Sequence, residues 1–393
     1  MSPADQALDL FAVAPPGLEQ LLAAELRKLG VRGSLTEGGI AWSGDIEQVR
    51  RVNLHARLAT RVLVRLGEFR ARSFIELERH LGRLPWARHL GDPPVHVRVS
   101  SRKSKLYHER AIAERVQRAL GTEAVSGTSN GGEEVEGEVE GEAAQLFVVR
   151  VLRDLFTVSA DSSGALLHRR GYRQRIGPAP LRETLAAALL QAGVYQEGEA
   201  LLDPFCGSGT IPIEAALLAR RVPPGLAGAE RRPRAYAFER WPGHDAVAWE
   251  AEVARARDAI LPEATAPIFA SDRAASAVED ARANAARAGV EGDIRWTVAP
   301  LSRAPHPDAI GLVATNPPYG QRVSGQRELR DLFAALGAYL RRELPAWRVA
   351  LLSPDVRLDA QLGVQLETAA ATRNGGIGVR LLVSGAGGSG LDP

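Results

Sequence analysis

At residues 315–320 the sequence reads TNPPYG, and the apolar run IGLVA (310–314) leads straight into it. Two successive prolines lack the N–H that a strand or helix needs and fix φ, so the chain must leave a buried strand there and enter a stiff loop. That loop holds one amide, Asn316, and one aromatic ring, Tyr319. Such a pair suits methylation of an exocyclic amino group. The nitrogen lone pair of that group is delocalised into the base ring, which makes it a poor nucleophile. The side-chain oxygen of Asn316 and the carbonyl of Pro317 would accept its N–H groups and draw the nitrogen toward sp3 geometry. Positioning and electrostatics would then carry most of the barrier reduction. Tyr319 would offer a face on which an extruded base stacks. Asn-Pro is also a common turn start, so the four residues weigh little by themselves.

A second chemical stretch is ALLDPFCGSGTIPIEAALLA (200–219), which reads as a strand, a glycine turn and a helix. Glycine lets the backbone pass close to a ligand, and the helix start at Thr210 directs N–H groups toward it. A phosphate loop would need Gly-Lys-Ser/Thr, and no Lys is present. A dinucleotide fingerprint needs three glycines in register, and only Gly207 and Gly209 are found. S-adenosylmethionine (SAM) needs neither. Asp203 at the strand tip suits its methionine ammonium. Asp272, closing the next strand in IFASD, suits its ribose hydroxyls. Alone, Asp272 reads as a helix N-cap; beside the glycine loop the cofactor reading is the stronger. Cys206, the single cysteine, could be a nucleophile of the kind used in pyrimidine C5 methylation. It sits inside the cofactor turn and reads as structural.

The elements that must position these residues follow from periodicity. From about 182 onward, helices and apolar strands alternate as in a parallel α/β sheet. Helices are expected at 182–193, 211–221, 274–289 and 328–344, and strands at 200–205, 267–272, 293–299, 310–316 and 347–353. Ahead of them, residues 8–70 and 73–163 read as two small α+β units. Residues 127–144, rich in Gly and Glu, bury almost nothing and read as a disordered insert. Residues 386–393 read as a frayed tail.

Composition bounds the rest. A chain of 393 residues with 45% apolar content is long enough for two or three domains. It has no apolar run long enough to span a membrane and no signal-peptide pattern. One cysteine allows no internal disulfide and no Cys-based zinc site. A cytoplasmic protein without metal is expected. Net charge is only +2, yet residues 45–118 hold 17 Lys/Arg against 8 Asp/Glu. That run is either a solvated face or a phosphate-binding surface.

DPFCGSGT and TNPPYG, with HRRGYRQRIGPAPLRETLAAAL (168–189) ahead of them, resemble the THUMP-domain class I RNA methyltransferases. Within that family the chain is closest to the N-terminal, 23S rRNA guanine-N2 methyltransferase part of the RlmL group. APPGLEQLLAAELRKLG resembles that family's opening module, and SSRKSKLYHERAIAERV its THUMP core. The resemblance covers nearly the whole chain. It implies an α/β fold: a ferredoxin-like α+β module (1–68), a THUMP RNA-binding domain (69–165) and a Rossmann-like methyltransferase domain (166–385). It implies SAM as donor and RNA as partner, and a monomer is expected.

Carried over by motif, Glu183 and Thr184 would close over the methionine end of SAM. Asp203, Phe205, Gly207, Gly209 and Thr210 would line it, Asp272 would hold the ribose, and Asn316, Pro317 and Tyr319 would meet the base. Arg102, Lys103, Lys105, His108 and Arg110 would grip RNA. The family's acid for the adenine amino group is missing from TVAPLSRA (297–304), which leaves backbone groups near Ala299. Two relatives of the reading stay open: a tRNA guanine-N2 methyltransferase and an adenine-N6 DNA methyltransferase. A non-catalytic RNA-binding protein is the reading from another class. The basic half argues against DNA, and the paired intact motifs argue against a dead enzyme. The RNA grip is expected to be separable from the SAM-binding part.

Overall fold

The computed structural model describes residues 7–91, 94–121, 125–126, 144–174, 181–305, 307, 309–319 and 325–384. The chain begins β1 (Leu8–Val13), α1 (Glu19–Lys28), β2 (Ser34–Thr36), β3 (Gly39–Gly44), α2 (Ile46–His55), β4 (Arg61–Arg70), α3 (Phe74–Leu81), β5 (Val95–Arg102), α4 (Glu109–Leu120), β6 (Val125–Ser126), β7 (Gln145–Leu152) and β8 (Leu155–Asp161). It continues α5 (Glu183–Ala192), β9 (Ala200–Asp203), α6 (Thr210–Ala219), α7 (Ala246–Asp258), β10 (Ile268–Asp272), α8 (Ala275–Arg287), β11 (Ile294–Val298), β12 (Gly311–Thr315), α9 (Gln326–Glu343), β13 (Arg348–Ser353), α10 (Val356–Leu362), β14 (Glu367–Asn374) and β15 (Ile377–Val383).

Two sheets organise these elements. The first runs β2-β3-β1-β4-β8-β7-β5-β6. The boundary expected at 68/69 falls inside β4. Its first half pairs with β1, and its length pairs with β8 from Leu63↔Asp161 to Arg70↔Leu155. The two N-terminal α+β units therefore share one backbone ladder. The insert read at 127–144 and the tail at 386–393 lie outside the described residues, Ala144 apart.

The second sheet runs β11-β10-β9-β12-β13-β15-β14. From β11 to β13 it is parallel, and β15 and β14 close it antiparallel. The apolar runs ALLD and GLVAT are buried along their whole length, as strands covered on both faces must be. After β9 the chain moves outward one way through β10 and β11, then returns to the other side of β9 as β12. Such a reversal opens a crevice at the carboxyl ends of the strands, where ligands of this architecture bind. Asp203 ends β9, Asp272 ends β10, and Asn316 follows the last residue of β12. The fold thus brings residues 69 and 113 positions apart in sequence to neighbouring strand ends.

Sequence periodicity missed α7, α10 and the β14–β15 hairpin. No helix among the described residues is long and apolar enough to cross a membrane.

Candidate active site

The glycine turn is built on backbone hydrogen bonds. Cys206 N–H donates to Ser271 O at 3.0 Å, and Gly209 N–H to Cys206 O at 2.8 Å. Gly207 and Gly209 have φ of 50° and 84°, the left-handed region that favours glycine. Gly209 is also the N-cap of α6, and a Cβ there would lie 2.9 Å from Ala281 Cβ on α8. At Gly207 a Cβ would meet nothing within 4 Å. One glycine is therefore demanded by helix packing, and the other leaves the backbone open toward the crevice. Pro212 sits in the first turn of α6, where a missing N–H breaks no helical bond.

The two aspartates differ. Asp203 is 1% exposed. Thr315 Oγ1 donates to its Oδ1 at 2.6 Å and Phe205 N–H to the same oxygen at 3.1 Å. Burial pushes the Asp203 carboxyl up to about 7; those two hydrogen bonds oppose the rise, and the Asp272 charge adds to it. Asp272 accepts from Gly207 N–H at 3.1 Å on one oxygen and from Ala274 N–H at 2.9 Å on the other. It ties the glycine turn to the end of β10, while the N-cap position of α8 is taken by Ala274. Each carboxylate oxygen of Asp272 keeps room for a further donor.

Cys206 is 6% exposed, and burial first, then Asp203 and Asp272, push its thiol well up. A nucleophilic thiolate needs the opposite shift, so the structural reading fits this geometry.

Glu183 is 1% exposed at the first turn of α5, which packs on α6. Its carboxylate accepts from Arg173 Nε at 3.2 Å and Nη2 at 3.1 Å. Thr184 and Thr210 are buried beside it in sequence and on α6. Near Ala299 the backbone offers less than expected. Ala299 N–H donates to Asp272 O at 3.0 Å, and residue 300 is proline, so carbonyls are the groups left to meet an adenine amine there.

In the proline loop, Asn316 is 9% exposed, and its Oδ1 has no hydrogen-bond partner among the described residues. An orphaned buried acceptor costs about 1–3 kcal/mol, and its position at a strand end beside Asp203 makes it a candidate acceptor for a donor arriving with a ligand. Pro317 is buried. Tyr319 is 8% exposed, and its hydroxyl accepts from Asn374 Nδ2 at 2.7 Å. The sequence reading missed Thr315, Arg173 and Asn374. Thr315 could have been found, since it immediately precedes Asn316, and Arg173 lies 10 positions ahead of Glu183; Asn374 is joined to the site only by folding.

The basic residues singled out at 102–110 form a separate surface on the β5–α4 connection. Arg102, Lys103, Lys105, His108 and Arg110 are exposed, as is Tyr107, whose ring lies 4.1 Å from that of His108. The loop is braced from below. Lys105 N–H donates to Asp154 Oδ1 at 2.7 Å, and Ser101 N–H to Glu109 Oε1 at 2.8 Å. Arg110 shares its charge with Glu114 at 3.2 Å.

Residues 170–382 match the family model described as RMKL-like, methyltransferase domain, and residues 9–63 the one described as RlmL ferredoxin-like domain. A ribosomal RNA large subunit methyltransferase K/L from Syntrophotalea carbinolica is 37% identical over 392 residues, 96% of this chain and 53% of that protein. The chain spans about half the length of the curated relatives it matches. The solved structure of SMU.472 complexed with SAH has a TM-score of 0.83 at 27% identity, covering 96% of this chain and 98% of that one. A structure from Listeria monocytogenes str. 4b F2365, described as a predicted N6-adenine-specific DNA methylase, has a TM-score of 0.79 at 29% identity, covering 96% of each chain. A methyltransferase model that matches more than half the sequence, on a sheet whose strand ends carry Asp203, Asp272 and Asn316, makes this chain a member of the RMKL-like methyltransferase family.

Proposed function

We propose that this chain transfers a methyl group from SAM to the N2 amino group of a guanosine in large-subunit rRNA. The observation that carries the reading is the buried Oδ1 of Asn316, without a partner among the described residues, at the strand ends where the two aspartates also lie. The residues present fit the donor. Asp203 would hold the ammonium, the open backbone at Gly207 would let the methionine part approach, and Asp272 would accept from the ribose. SAM supplies an electrophilic methyl group, so no strong base is needed.

The chain's own part is to aim the nucleophile. Asn316 Oδ1 and the Pro317 carbonyl would accept the two N–H groups of the base and localise the lone pair on nitrogen. Both are preset by the loop, so little reorganisation is needed as positive charge develops. Thr315 fixes Asp203 from the residue next to Asn316, which links the cofactor end to the base end through one peptide unit.

RNA as substrate is supported by the names of the rRNA-methylating relatives and by the exposed Arg102–Arg110 surface, read as the grip of a THUMP-type unit within residues 69–165. The Asn316 geometry would serve an adenine N6 amino group equally well, and the Listeria protein's description favours that second reading. Nucleoside mass spectrometry of rRNA and tRNA from a deletion strain separates them. Loss of N2-methylguanosine from large-subunit rRNA is expected; loss of N6-methyladenosine, or of a tRNA nucleoside alone, would overturn the reading.

A further inference from the structure

The β14–β15 hairpin reaches the catalytic loop, and the chemistry above does not use it. Its turn is Asn374-Gly375-Gly376-Ile377, with φ of 55° and 83° at the two glycines. That is the pattern of a two-residue type I′ turn. A Cβ at either glycine would meet nothing within 4 Å, so the turn stands clear of its surroundings. Asn374 and Ile377 are the pair that closes it. Residues directly opposed on antiparallel strands point to the same face, with Cβ atoms about 4.5–5.5 Å apart. Asn374 is 8% exposed and donates to the Tyr319 hydroxyl at 2.7 Å. Ile377 therefore stands on the face that meets Tyr319, one cross-strand step from the phenol, and is 41% exposed.

A single exposed isoleucine on a protein surface ordinarily means nothing. This one is distinguished by its place. It closes a tight two-residue turn, near Tyr319 of the proline loop, at a position whose cross-strand partner hydrogen-bonds that loop. We propose that Ile377 is an apolar lip of the target-base pocket and packs against the nucleobase as it leaves the RNA stack. The inference rests on the base-methylation reading and adds to it a specificity element on the C-terminal hairpin. An extruded base has two faces to cover, and Tyr319 provides for one of them.

The test uses the full chain, SAM, and an RNA fragment that carries the mapped target guanosine, with a second fragment bearing 2-aminopurine at that position. 2-Aminopurine brightens when it leaves the stack. Wild type is expected to methylate the first fragment and brighten the second. Ile377→Ala is expected to raise the KM for RNA about tenfold, the scale of one apolar contact, and, at concentrations that half-saturate wild type, to lose most of the fluorescence gain, which saturation restores. Its kcat and SAM affinity should stay as in wild type, and Ile377→Leu should restore both RNA readouts. Ile377→Ala with wild-type KM and fluorescence overturns the lip alone. A wild type that methylates no guanosine overturns the reading of the reaction, and the lip with it.

Discussion

Asn316 presents a buried oxygen that no donor among the described residues meets, and that changes what its removal should do. A side chain needed for the turn would lower stability when truncated. Asn316→Ala deletes an acceptor that meets no donor among the described residues, so its melting temperature should match or exceed that of wild type. Single-turnover methyl transfer should fall by about two to three orders of magnitude, the usual loss for one preorganised polar group, with SAM binding intact. Tyr319→Phe behaves in the opposite sense. Stacking on the ring survives, but Asn374 loses its acceptor while 8% exposed. An unpaired buried donor costs about 1–3 kcal/mol, which thermal denaturation would register as a lower melting temperature. Asp203 adds a pH dependence. Its raised carboxyl is protonated below about 7, and a neutral acid holds an ammonium poorly. SAM affinity, measured by calorimetry, should therefore weaken as pH falls through 7, by up to about tenfold per unit. A flat profile between pH 6 and 8 would remove Asp203 from that role.

The strand–turn–helix element shows what the sequence made legible. Its composition alone marked Asp203, Gly207 and Gly209, because an apolar strand, a glycine turn and a helix start are local features. The role of Gly209 was half legible. Periodicity placed it at the helix start; only the fold shows Ala281 of α8 in its path. Gly209→Ala would force both a strained φ and a clash, so a marked loss of stability and of SAM binding is expected, whereas Gly207→Ala carries only the φ strain. Asn374 was illegible because it meets Tyr319 across the fold, 55 positions away, and no period in the sequence records a long-range pair; Arg173 lies only 10 positions from Glu183, but neither helical nor strand spacing runs unbroken in the sequence between them. The continuous first sheet was missed likewise. β4 pairs on both edges, and edge pairing leaves no mark on the strand's own pattern.

Across the whole molecule, the N-terminal sheet and the catalytic sheet are joined by buried charge. Arg170 and Tyr172 both reach Glu214 on α6, the tyrosine at 2.7 Å, and Arg57 lies 3.5 Å from the same carboxylate. Arg170 also donates to Arg57 O at 2.8 Å, and Glu25 accepts from Arg57 N–H at 2.7 Å. Tyr236 donates to Asn53 O at 3.1 Å, and Trp241 to Gln145 at 2.7 Å. Composition gave the expectation that the RNA grip could be cut away. That expectation holds only if the catalytic part still folds alone, and these contacts bear on that condition: removing residues 1–160 would strip Arg57 and Glu25 from Arg170 and Glu214, so a lower melting temperature of the remainder is expected. Breaking one buried pair is costly, about 3–5 kcal/mol, so Glu214→Ala should lower the melting temperature of the entire chain. The same helix begins at the glycine turn, so Glu214 ties the element that carries the turn to the N-terminal sheet.

Activation of a guanosine N2 amino group is the role proposed for Asn316. The most direct measurement is single-turnover transfer from methyl-labelled SAM to large-subunit rRNA, followed by digestion and separation of the labelled nucleosides, for wild type and Asn316→Ala side by side. Label in N2-methylguanosine is expected with wild type, and a rate lower by at least about a hundredfold with a folded, SAM-binding Asn316→Ala. Label in N6-methyladenosine, or an undiminished rate in the variant, would contradict that role.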